Sequence, residues 1–134
     1  MKFTVDRKTW VTASTEGNID TISDDTGCNN KGEISLLNEQ GNMCCLGHCA
    51  VSMGVLNPYI RNEPAPEDLI DHNDGDDKVK SYLKIFAPLG NNNSLSLEAM
   101  RINDNNTFTD SMRETKLIEL FAKYGHELVF TGAK

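Results

Sequence analysis

One run of twelve residues constrains the fold of this sequence more than any other feature. From Met43 to Gly54 (MCCLGHCAVSMG) it contains no Asp, Glu, Lys or Arg. At helical spacing the run is apolar on nearly every side, and such a helix is buried on most of its surface. The run therefore predicts a central core helix, and Gly54 is well placed to end it in the left-handed conformation.

The chain of 134 residues is long enough for one core and close to the commonest domain size. Alternating polar and apolar residues predict strands at Lys2–Val5 and His126–Thr131, with a further short strand at Ile34–Leu37. We expect a single α+β domain over 1–134, with a small antiparallel or mixed sheet packed by two to four helices. Polar composition predicts loops at 12–32 and 71–77.

The helices outside the central run are predicted from apolar spacing. Val79, Tyr82, Leu83 and Phe86 make Lys78–Phe86 amphipathic. Ser111 and Glu114 have the spacing of a capping box, which predicts the start of a C-terminal helix that Gly125 ends. Leu95–Ile102 fits a strand or a helix equally well.

Negative charge is concentrated in one part of the chain. The net charge is −7, from 20 acidic and 13 basic residues, and seven of the acids lie between Glu63 and Asp77 with no Lys or Arg among them. Such a surface repels phosphate backbones, so direct nucleic-acid binding is disfavoured. The segment is interpreted as a solvated loop or as a partner-facing surface, and it lacks the full ligand set of a calcium loop. The predicted partner-binding residues are Glu67, Asp68, Asp71, Asp74, Asp76 and Asp77.

Four cysteines, Cys28, Cys44, Cys45 and Cys49, are too few and too clustered for a secreted disulfide scaffold. We interpret them as free thiols in a reducing cytoplasm. Together with His48 they leave two chemical alternatives open, a zinc site or a reactive thiol. Small buried cysteines are also ordinary core residues, and packing is the favoured interpretation. The prediction is therefore no metal, no cofactor and no catalytic residue.

The sequence lacks several motifs that are typical of particular classes of protein. The sequence has no phosphate-binding glycine loop, no nucleophile elbow and no HExxH motif. No stretch reaches the roughly 18–20 apolar residues that span a bilayer, and no secretory leader is visible at Met1.

Some segments resemble a group of small phage and prophage proteins. The most distinctive is Leu36-Leu37-Asn38 followed by Gly41 to Gly47, which includes MCCLG. The weaker ones are Asp6–Trp10, Ile102–Asp104, Arg113-Glu114 and Leu120–Gly125. The resemblance implies a phage or mobile-element context, and it carries no activity and no site residues.

These observations favour a non-enzymatic interaction protein in the host cytoplasm. It would bind and modulate a host protein with a basic surface, such as a nucleic-acid-handling or defence factor, through its acidic residues. The alternatives are a small-molecule binder for a nucleotide signal and a cysteine- or zinc-dependent enzyme.

Overall fold

Two strands from opposite ends of the sequence form the sheet. The structure, a computed structural model, describes residues 1–12, 35–72 and 76–133, with the backbone alone for 70–72. Strand β1 (Lys2–Asp6) pairs in parallel with β2 (Glu127–Thr131), so that Lys2 lies beside Glu127 and Asp6 beside Thr131. Phe3 and Val5 point into the core while their neighbours face solvent.

Five α-helices and one 3-10 helix occupy the described part of the chain between the strands. They are α1 (Cys45–Ser52), α2 (Asn57–Ile60), the 3-10 helix (Pro66–His72), α3 (Asp77–Phe86), α4 (Ser94–Asp104) and α5 (Asp110–Lys123). Three of them begin with a side-chain cap, because Asp76, Asn93 and Thr109 each accept a hydrogen bond from a backbone N–H three residues ahead. This confirms the α+β class, with a parallel sheet and more helices than the two to four predicted.

An aromatic cluster joins β1 to the helices. The ring of Phe3 lies 5.6 Å from that of Phe86 on α3 and 5.8 Å from that of Phe121 on α5. The ring of Tyr82 lies 4.8 Å from that of Phe86 at a tilt of 41°, and its hydroxyl donates a hydrogen bond of 2.9 Å to the carbonyl of Leu46 on α1. The sheet and three helices therefore share a single hydrophobic core.

Gly47 allows the backbone of Leu36 to cross α1 at close range. A Cβ atom at this position would lie 1.8 Å from the Leu36 carbonyl oxygen, well inside van der Waals contact. Leu36 and Leu37 are held on their other side, because Leu36 N donates to the Glu63 carbonyl and Leu37 O accepts from Asn62 N. Asn62 and Glu63 thus fix the position of Leu36 and Leu37, where the chain crosses α1.

The edge of β1 that faces away from β2 is protected by α1. Thr4 N donates to the hydroxyl of Ser52 at 3.0 Å, and that hydroxyl donates to Thr4 O at 3.3 Å. Beyond β1 the chain turns, and Trp10 forms an isolated parallel bridge with Met43 just before α1. The Ser52 hydroxyl therefore bonds backbone groups of Thr4 that a third strand could otherwise pair with, which protects this edge of the sheet.

Several boundaries differ from those predicted. The ambiguous stretch Leu95–Ile102 is helical and lies within α4, and the C-terminal helix begins at Asp110 because Thr109, rather than Ser111, caps it. The predicted loop 71–77 is shorter, since Asp71 and His72 end the 3-10 helix and Asp77 begins α3. The predicted loop 12–32 lies outside the described residues except for Thr12. The predicted strand Ile34–Leu37 is described from Ser35 onward, where Leu37 forms an isolated bridge with Arg61 and not a strand.

Candidate functional site

The predicted partner-binding residues begin on the 3-10 helix, where two carboxylates accept backbone hydrogen bonds. Asp68 Oδ2 accepts from Ala65 N at 3.1 Å. Glu67 and Asn92 bond reciprocally, because Glu67 N donates to Asn92 Oδ1 at 2.8 Å and Asn92 N donates to Glu67 Oε1 at 3.3 Å. The two bonds between Glu67 and Asn92 fasten the start of the 3-10 helix to the turn between α3 and α4.

The other end of the acidic segment forms the start of α3. Asp76 Oδ1 accepts from Val79 N at 2.9 Å, and Asp77 is exposed in the first helical turn. Negative charge at this position is favoured by the helix dipole. Asp74 and the side chain of Asp71 lie outside the described residues.

We call Glu67, Asp68, Asp76 and Asp77 the acidic surface. The 3-10 helix packs against α3, which brings the elements that carry both pairs into contact. Hydrogen bonds from backbone N–H groups hold the carboxylates of Glu67, Asp68 and Asp76 in place. The arrangement can therefore stabilise the local fold and still attract a cationic partner.

Three lysines on α3 follow the acidic surface, and the first of them comes directly after Asp77 in the sequence. Lys78, Lys80 and Lys84 are exposed on α3. The aliphatic chain of Lys78 also covers the end of α1, since a Cβ at Gly54 would lie 3.4 Å from its Cδ and Cε atoms. The run Glu63–Asp77 contains no basic residue, but Lys78 and Lys80 follow it at once in the first turns of α3.

The described thiols are interior residues. Cys44 is 3% exposed, and Cys45 and Cys49 are fully buried. Burial raises the pKa of the Cys44 thiol to about 12, with a smaller contribution from the charge of Asp104. Burial also raises the pKa values of Cys45 and Cys49. A reactive cysteine needs the opposite environment, because the nucleophile is the thiolate.

No group of three or more metal-ligating side chains occurs among the residues that the structure describes. Cys28, the fourth candidate ligand, lies outside that part of the chain. Among the other histidines, His126 packs against the rings of Phe3 and Phe121, and the side chain of His72 is not among those described. The described geometry therefore supports packing as the role of the thiol-rich helix.

We expect the three described thiols to be protected in the native protein. In a Cys28→Ser variant, a thiol-specific chromogenic reagent at neutral pH should report almost no reaction before unfolding and three thiols in denaturant. Rapid native labelling of one cysteine would contradict the burial of this helix.

His48 on α1 faces the turn that follows β1. Its Nε2 lies 3.3 Å from the Thr9 hydroxyl, and the residue is 4% exposed. Burial lowers the pKa of His48 to about 4, although its bond with Thr9 and the charge of Asp6 act in the opposite direction. The imidazole is therefore neutral at neutral pH and fixes the turn to the helix.

Because the folded pKa of His48 lies below the unfolded value near 6.5, the unfolded chain binds this proton first. The contribution of neutral His48 to the free energy of unfolding is complete above about pH 6.5 and is lost as the pH falls through 4. The loss attributable to His48 is about 3 kcal/mol. The test is urea unfolding of wild type and His48→Gln from pH 7 to pH 4. Over this range the free energy of unfolding of wild type should fall by that amount relative to that of His48→Gln. A constant difference would exclude a shifted His48, since the carboxylates are common to both proteins.

A buried asparagine, which the sequence reasoning missed, joins three parts of the chain. Asn103 Oδ1 accepts from Trp10 Nε1 at 2.8 Å and from Cys45 N at 3.2 Å. Its Nδ2 donates to Val11 O and to Asp104 Oδ1, both at 3.0 Å. A buried Trp needs an acceptor for its indole N–H, but this acceptor lies 93 residues away in the sequence.

Two arginines form ion pairs with acidic residues of α5. Arg7 makes a bidentate pair with Glu114, at 2.7 and 2.9 Å, and its Nη1 donates to Gly132 O. Arg113 is fully buried and donates to Asp110 Oδ1 and to the carbonyl of Asn105, both at 2.6 Å. Hydrogen bonds from Trp10 to Asn103 and from Arg7 to Glu114 therefore join the turn after β1 to α4 and α5.

No family model, curated protein or solved structure matches this chain. The resemblance to phage and prophage proteins therefore stays a prediction from the sequence. Every helix in the described ranges is too short or too polar to cross a bilayer.

Proposed function

We propose that this chain is a phage- or mobile-element protein that binds and modulates a host protein without catalysis, through its acidic surface. The partner would present a basic surface, as nucleic-acid-handling and defence factors do. The observation that carries the proposal is the position of Glu67, Asp68, Asp76 and Asp77 on two elements that pack together.

Electrostatics gives the proposed contact its physical basis. Charged surfaces of opposite sign accelerate encounter by roughly 10- to 1000-fold at low salt, whereas a single exposed ion pair contributes only about 0.2–1 kcal/mol. The acidic surface would therefore act mainly on the rate and selectivity of association. The hydrogen bonds of Glu67, Asp68 and Asp76 hold their carboxylates in place, which reduces the ordering needed on binding.

The thiol-rich helix supports a binding role over the cysteine-enzyme alternative. Its described thiols are buried and have raised pKa values. A nucleophile with this environment would be protonated at neutral pH and inaccessible to a substrate. The proposal therefore assigns this helix to the core and the recognition to the surface.

Neutralising the acidic surface should slow binding without unfolding the protein. Asparagine is as good an N-cap as aspartate, so Asp→Asn and Glu→Gln changes keep the caps and remove the charge. The variant carries Glu67→Gln, Asp68→Asn, Asp76→Asn and Asp77→Asn. We expect affinity purification from host extract to lose the partner that wild type retains at low salt, and the association rate with that purified partner to fall at least about tenfold.

A matched control removes the same number of charges elsewhere. It carries Glu39→Gln, Glu98→Gln, Glu119→Gln and Glu127→Gln, at positions on other elements. This control should bind like wild type, and raising the salt concentration should weaken wild type toward the level of the neutralised variant. Equal binding by all three proteins would refute the acidic surface as the contact.

A further inference from the structure

We draw no further inference here: the strongest candidate, the outer edge of β2, where the backbone groups of Leu128 and Phe130 point away from β1, carries none, because nothing in the described part of the structure shows what covers it.

Discussion

Replacing Gly47 by alanine is expected to destabilise the protein by about 3–5 kcal/mol, which is at the severe end for one added methyl group. The new Cβ would lie 1.8 Å from the carbonyl oxygen of Leu36. That carbonyl has little room to retreat, since the residues around it are hydrogen-bonded to Asn62 and Glu63. In an ordinary helix interior the same change is stabilising by roughly 0.5–1 kcal/mol, so the sign of the effect identifies the clash.

The measurement is urea unfolding followed by circular dichroism, with the amount of soluble protein as a second readout if the variant does not fold. Gly41→Ala is the matched control, because a Cβ there meets nothing within 4 Å and the only penalty comes from its φ of +88°. We expect that control to lose about 1–2 kcal/mol. A Gly47→Ala protein as stable as wild type would show that Leu36 does not cross α1 at this distance.

The second large effect is expected at Asn103. Asn103→Ala removes the acceptor of Trp10 Nε1 and Cys45 N and the donor to Val11 O. A buried polar group left without its partner costs about 1–3 kcal/mol. The total loss should be about 3–5 kcal/mol, below the sum of the separate terms because such terms are not additive. The exposed residue Asn106 provides the control, and Asn106→Ala should change stability by no more than about 0.5 kcal/mol.

A double-mutant cycle separates the hydrogen bond from the packing around it. Trp10→Phe keeps an aromatic ring and removes the indole N–H, so it should harm wild type more than it harms the Asn103→Ala protein. We expect a coupling free energy of about 1–2 kcal/mol between the two positions from urea unfolding. A coupling of zero would mean that the bond between Trp10 and Asn103 does not contribute to stability, and that any loss in Asn103→Ala comes from its other contacts.

The sequence predicts the elements whose physical signals are local. The central helix follows from an uncharged run, and Lys78–Phe86 follows from apolar spacing, with the observed start at Asp77 because Asp76 is the cap. Thr109 and Ser111 both suit an N-cap. Only the path of the chain after α4 decides that Thr109 takes this role.

Long-range features leave no comparable signal. The parallel direction of β1 and β2 cannot be deduced from two alternating pentapeptides, and the acceptor of Trp10 lies on a helix near the other end of the chain. For the acidic surface, the sequence predicts which residues are negatively charged. The contact between the 3-10 helix and α3, which are the elements that carry these charges, depends on how the chain packs.

The pairing of β1 with β2 has a consequence for synthesis of the protein. Lys2 lies beside Glu127, which is 127 − 2 = 125 positions later in the chain. At roughly 5–20 residues per second, a ribosome makes β1 about 6–25 seconds before its neighbour exists. During that interval Phe3 and Val5 cannot complete their native environment, so translation itself sets the earliest time at which the sheet closes.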